Sequence, residues 1–187
     1  MKKINLMLSI CFILLGIISA NAQYKQQERK IPLKMPKQVF DEAAAKDALE
    51  PGSATLTGVV RLTLDNKRIV VGRNTTVDLY PMTPYFEEWY KLKKKENVRK
   101  NKLVGMDSLA AKYRVYCETN NDGDFTFPNL KPGKYILYTT VYWRTDVGVF
   151  YEEWVNRKQS THMVVNIKPG KDNVKVVLGR PPLHFLL

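Results

Sequence analysis

Paired glutamates beside a tryptophan occur twice in this chain. "YFEEWY" spans Tyr85 to Tyr90, and "FYEEWV" spans Phe150 to Val155, sixty-five positions later. Two carboxylates set roughly 5–10 Å apart cleave glycosidic bonds as an acid and its base or nucleophile. An aromatic ring beside them offers a flat apolar surface to a sugar. The chemistry to weigh is therefore the binding or hydrolysis of a carbohydrate. A divided hydrolytic site would require Glu87 or Glu88 to meet Glu152 or Glu153.

Other catalytic sets are thin. His162 and His184 are the only histidines, one at the head of an expected strand and one in the C-terminal tail. No Cys/His cluster has metal-ligand spacing, and no Gly-x-Ser-x-Gly elbow is present. "ETNNDGD", Glu118 to Asp124, gathers acid and amide oxygens in a loop. A calcium-binding helix-loop-helix would need a Glu where Asn129 stands, so the stretch reads as a hairpin turn, with Gly123 taking a positive φ. No catalytic residue, metal or cofactor is expected, and the chain does not read as an enzyme.

Two sets remain for binding. Of the formal net charge of +12, a large share lies between Lys91 and Lys102, where seven basic residues face one acid. Lys91, Lys93, Lys94, Lys95, Arg99, Lys100 and Lys102 form either a solvated helix face or a contact for an anionic partner. That partner would be an envelope protein, a polysaccharide or an anionic lipid surface. Nucleic acid is not expected, since no base-reading element lies beside the run. The aromatic set is Trp89, Tyr142, Trp143 and Trp154, with Tyr138 near them; each can stack on a sugar or simply pack.

These residues must be held by something. Lys2 and Lys3 precede an apolar run from Leu6 to Ile18 and an Ala20-Asn21-Ala22 site, the pattern of a secretory signal peptide over residues 1–22. Ile10 before Cys11 argues against lipidation, and nothing after residue 22 is apolar for long enough to span a bilayer. The expected product is exported, periplasmic or extracellular, with the single thiol Cys117 inside a core. Residues 23–52 read as an extended arm and a short helix, about Glu42 to Leu49, capped by Asp41 and stopped by Pro51-Gly52.

From there the period becomes two. "ATLTGVVRLTL" sets Leu56, Gly58, Val60 and Leu62 on one face. "NTTVDLYP", "YRVYCET", "DFTFP", "GKYILYTTVYW", "HMVVNI" and "NVKVVL" follow, which predicts a seven-stranded antiparallel β-sandwich over 53–179. Two insertions interrupt it, 82–112 and 144–161, and 180–187 form a tail. In the first insertion Thr83 can cap a helix, Pro84 suits its first position, and Tyr85, Phe86, Trp89 and Leu92 line an apolar face. Counting strand reversals puts the two insertions at opposite ends of the sandwich, about 17–20 Å apart. The repeated EEW is then not a divided catalytic site.

Thr119, Gly123 and Phe125, followed by Leu130, Pro132, Gly133 and Tyr135, stand in a T-x-x-x-G-x-F turn and an L-x-P-G-x-Y turn. With "ATLTGVVRL", "VDLYP" and "VKVVLG", the stretch from about Ala54 to Gly179 resembles the carboxypeptidase regulatory-like domain. That domain is a transthyretin-like (prealbumin-like) Greek-key sandwich. "ALEPGSATLTG" and "VDLYPMTPY" are similar to a bacterial exported subgroup of that family whose role is not established. The resemblance implies fold rather than activity, since the peptidase chemistry of the family sits in neighbouring domains. A non-catalytic envelope accessory or interaction module is the leading expectation. A carbohydrate-binding module akin to starch-binding sandwiches is the alternative, and a hydrolase using a Glu pair the most distant one.

Overall fold

Alternation along β2 (Ala54–Thr63) sets the architecture: residues 54, 56, 58, 60 and 62 are buried while their neighbours face outward. The computed structural model describes residues 31–64, 68–97, 100–148, 154–170 and 173–179. The elements below belong to the unit that begins at Leu33; of the other unit, Met1–Pro32, only the last two residues are described. The expected signal peptide, Cys11, Arg99, Glu152, Glu153, His184 and the C-terminal tail fall outside the described residues.

The first sheet is built on β2. It pairs in parallel with β10 (Asn173–Leu178) and antiparallel with β7 (Asp124–Leu130). The far end of β2 pairs with β3 (Ile69–Val71). Val60 donates its N–H to Gly123 O at 2.8 Å, and its carbonyl accepts from Gly72 N at 3.0 Å. Both groups of one residue point to the same side of a strand, so β3 prolongs the β7 flank. The second sheet runs β6 (Val115–Glu118), β4 (Thr76–Pro81), β8 (Gly133–Asp146), β9 (Trp154–Ile167), all antiparallel. A separate parallel pair joins β1 (Leu33–Lys34) to β5 (Leu103–Val104).

The described residues are thus mostly β, in sheets that are largely antiparallel, with ten strands among them instead of seven. All seven expected strands are present as β2, β4 and β6 to β10. The three additions have two or three residues each, too few to display a period. The parallel β2–β10 pair departs from the all-antiparallel expectation. So does the segment 144–161: it is not an insertion in its described parts, because β8 continues to Asp146 and β9 begins at Trp154, opposite it.

Two apolar clusters hold the layers together. The interior between the sheets contains Leu56, Val60, Leu62, Val77, Leu79, Phe125, Phe127, Tyr135, Leu137 and Ile167, all buried. Each such side chain contributes about 1.5–3 kcal/mol on leaving water. Gly58 lies here because a Cβ would sit 2.4 Å from the Phe125 ring. The outer face of the second sheet is covered by two helices, α1 (Glu42–Ala48) and α2 (Pro84–Lys93), through Ala45, Tyr80, Tyr85, Phe86, Trp89 and Ile136. Tyr80 and Ile136, on the face opposite Leu79 and Leu137, are buried for that reason.

The turns carry their own chemistry. Asn120 Oδ1 accepts from the N–H groups of Asp122 and Asp124, and Gly123 takes φ 82, as its turn predicts. At the second turn a Pro132-Gly133 pair would have Pro preset one dihedral and Gly take the other, but the left-handed residue is Asn129, φ 58, and Gly133 simply opens β8. Tyr135 there donates its hydroxyl to the carbonyls of Lys131 and Ala48, at 3.0 and 3.1 Å. Lys131 Nζ reaches Asp47 and Glu50, clasping the end of α1 onto the turn. Gly52 fits only without a side chain, since a Cβ would stand 2.4 Å from Leu130 O.

Candidate functional site

The first EEW string is absorbed by packing. Asp41 caps α1 through Ala44 N, as expected, whereas Thr83 caps α2 by its backbone alone and makes no side-chain cap bond. Pro84 then presets the first turn. Glu87 pairs with Lys91 at 2.7 Å on an exposed face. Glu88 accepts from the N–H groups of Lys37 and Gln38, both at 2.8 Å, and so fastens the N-terminal arm. Trp89 is buried between Tyr80 and Tyr138, ring centroids 5.3 and 5.8 Å away. It offers no face to a sugar.

The basic run divides. Lys93 is not a surface cation: its side chain is 13 % exposed, 2.9 Å from Glu96 and 5.6 Å from the Tyr138 ring centroid. Glu96 in turn accepts from Val104 N, so the pair pins β5 beside the helix. Lys94 lies over Tyr90, 5.8 Å from its ring centroid, but stays exposed, as do Lys91, Lys95, Lys100 and Lys102.

Register relates the two EEW segments. Pro81, just before α2, opposes Tyr135, and Trp154 opposes Asp146, eleven positions further along β8. At about 3.3 Å per residue that is roughly 36 Å of strand. The described part of the second segment, Trp154, is therefore at the other end of the sheet from the first.

α2 reaches Tyr138 and His162 through Trp89 and Tyr90, and beyond these two the outer face of the second sheet is open. Across its four strands one row reads Tyr116, Asp78, Tyr138, His162. Along β8 the same face carries Thr140 and Tyr142. Tyr138 donates to Ser160 at 3.0 Å, and Thr140 and Ser160 share a bond of 2.9 Å, so these hydroxyls are fixed. A cleft of about 300 Å3 lies here, lined by Asn74, Thr75, Thr76, Asp78, Tyr138, Thr139, Thr140 and Tyr142.

A second cleft, about 420 Å3, adjoins it at Tyr142. It exists because β4 stops early. Val77 opposite Thr139 is the last pairing of β4 with β8 toward this end, so the rest of β8 is paired on the β9 side alone among the described residues. The vacated flank faces β3, and the walls are Arg68, Ile69, Val70, Val71 and Arg73 on one side and Tyr142, Trp143 and Arg144 on the other. Tyr142 is 66 % exposed between the two clefts. Trp143 turns inward and packs partly on the sandwich interior. Trp154 is 57 % exposed at the start of β9.

Electrostatics separate the two halves. Burial raises the Asp78 carboxyl above its usual range, and Arg114, with Nε 2.8 Å away, pulls it back. The same surroundings push Tyr80 up to about 12, mainly by burial. Cys117, half-buried on β6, is pushed up by burial as well, which keeps it a protonated packing group and not a nucleophile. Among the described residues neither cleft brings a second carboxylate beside Asp78, and no cluster of His, Cys, Asp or Glu could hold a metal.

Of the sugar-binding candidates, then, the structure places Tyr142 exposed between the two clefts, Trp143 in the wall of the larger one and turned inward, Trp154 on the surface outside both linings, and Trp89 in the interior. The sequence reading missed Asp78, Arg73 and Arg144. The alternation Tyr138, Thr140, Tyr142 on the outward face of β8 was the available signal for the first cleft.

The chain matches no family model and no curated protein. Among solved structures, a Pseudomonas aeruginosa protein described as a "putative carbohydrate binding protein" is similar to it. The TM-score is 0.62 with 22% identity, over 79% of this chain and 100% of that one. At that identity the likeness speaks to the fold.

Proposed function

We propose that this protein is a non-catalytic saccharide-binding module of the cell envelope, exported by its N-terminal segment, on a transthyretin-like sandwich. The observation that carries it is Tyr142, a large ring held 66 % exposed between two contiguous clefts. A sugar needs an apolar plate for its C–H face and fixed polar groups for its hydroxyls. Tyr142 supplies the plate; Thr76, Asp78 and Thr140 supply acceptors and donors whose positions the sheet fixes, and Asn74 adds an amide from the loop before β4. The similarity to the Pseudomonas aeruginosa protein supports the same reading. Among the described residues Asp78 is the one carboxylate lining the cleft, which favours binding over hydrolysis, a reaction that uses two.

Calorimetric titration with neutral oligosaccharides of four to six units tests this. Tyr142→Ala is expected to weaken binding at least tenfold with no change in thermal stability. Unchanged affinity, or no binding by the unmutated protein, overturns the reading.

A second contact, electrostatic in kind, is supported by the exposed Lys91, Lys94, Lys95, Lys100 and Lys102. It would take an anionic envelope surface. Binding to vesicles containing a third phosphatidylglycerol should fall with salt and vanish when these lysines are changed to Gln. Salt-independent binding refutes it.

A further inference from the structure

The larger cleft differs from its neighbour in charge. Arg68, Arg73 and Arg144 line it, and among the described residues no carboxylate does. The β8–β9 register adds to this: Lys158 stands opposite Tyr142 and Arg157 opposite Trp143. Side chains directly opposed in an antiparallel pair lie about 4.5–5.5 Å apart on one face. Lys158 and Arg157 thus flank the two aromatic residues from the β9 side, one on each face of the ribbon, while Asp146 is the nearest acid along β8. Arg68 is already engaged, donating to Thr145 Oγ1 at 3.3 Å, which leaves Arg73 and Arg144 as the principal contributors. The smaller cleft, on the other side of Tyr142, has hydroxyls and Asp78.

We infer that the cleft between β3 and β8 is a subsite for the carboxylate of an acidic saccharide, a uronate unit within a longer chain. This deepens the saccharide-binding reading and rests on it. Guanidinium groups match a carboxylate with two parallel N–H···O bonds, which a neutral hydroxyl cannot reciprocate. An aromatic ring beside them accepts the apolar face of the same sugar. The hydroxyl-lined cleft then receives the adjoining unit, so that Tyr142 is shared between two sugars. Low local dielectric is not required: the subsite is open, so its preference for acid falls as salt rises.

Titrating the full chain with tetragalacturonate and with its carboxyl-reduced, neutral counterpart tests the inference. The acidic tetramer should bind at least tenfold more tightly at low salt. Arg73→Gln with Arg144→Gln should erase that difference, chiefly by weakening the acidic tetramer. Arg144→Lys should restore part of it, since charge returns without the fork. Tyr142→Ala should weaken both ligands. Far-UV circular dichroism and a melting curve on each variant establish that it is folded; both arginines are on exposed or partly exposed positions, so folding should persist. Equal affinity for the two tetramers refutes the acid subsite and leaves saccharide binding standing. Binding of neither refutes both. An acid preference that survives the arginine changes but disappears when Lys91, Lys94, Lys95, Lys100 and Lys102 become Gln assigns the anion to the helical insertion and refutes this location.

Discussion

Replacing Trp89 by Ala separates a packing tryptophan from a binding one. The side chain is 3 % exposed, with Tyr80 and Tyr138 against it and Lys93 Nζ 6.0 Å from the ring centroid. Truncating a buried aromatic of this size costs about 3–5 kcal/mol. The vacated space also removes one of the two rings under Lys93, a loss of about 0.5–1 kcal/mol if the lysine stays partly hydrated. Against a total stability of roughly 5–15 kcal/mol for a domain of this kind, the loss is a large fraction. At ~2–4 °C per kcal/mol for a chain of this length, the melting temperature should fall by roughly 6–20 °C. Urea titration followed by far-UV circular dichroism is the assay, because Trp89 itself contributes to fluorescence. The midpoint should drop with the slope unchanged. Trp89→Phe should recover much of the stability and leave saccharide affinity untouched. A loss below about 1 kcal/mol for the Ala variant would refute the packing of α2 on the second sheet.

Two further outcomes follow from named contacts. His162 is held neutral by burial first, then by Lys93 and Lys94, with Glu96 opposing and the Tyr90 ring edge-on at 5.2 Å. Its pKa when folded is below 6.5, so the unfolded chain takes up the proton first. Stability is present above about pH 6.5 and declines as pH falls toward the lower folded value; His162→Gln should flatten that part of the melting-temperature profile between pH 7.5 and 5, and an unchanged slope would contradict the assignment. Gly58→Ala places a methyl 2.4 Å from Phe125 Cζ and 2.8 Å from Val176 O, an overpacking of about 1–3 kcal/mol. Adding Phe125→Leu should return part of that loss in a double-mutant cycle, and strict additivity would show that the ring is not the obstacle.

Much of the sandwich was legible because a strand with one buried face writes its period into the chain: Leu56, Val60 and Leu62, or Leu137, Thr139 and Val141, needed no partner to be recognised. The apolar face of α2 was legible for the same reason at a different period. Lys93 was not. Its removal from solvent depends on Tyr138, forty-five positions away and brought near only by the sheet. The hairpin of β8 and β9 was read short because Arg144 to Asp146 and Trp154 to Lys158 are exposed or only partly buried and carry no apolar-polar alternation in sequence. Gly133 was assigned a backbone role that Asn129 performs, since a Pro-Gly pair and an Asn at the preceding strand end satisfy the same reversal. The clefts lay furthest from the sequence. Arg73 and Arg144 carry no spacing signal; they meet because β4 ends before β8 does.

The parallel pairing of β2 with β10 also governs when the molecule can be finished. The sandwich strand that comes first takes a neighbour from the one that comes last, and loop closure over that span is slow compared with forming a local hairpin. Until Asn173 to Leu178 are available, the flank of Leu56 to Val60 is an unguarded edge, inclined to zip onto another copy. Nascent or truncated chains lacking this last strand should accordingly be the aggregating species, and the final six strand residues act as the latch on the whole interior.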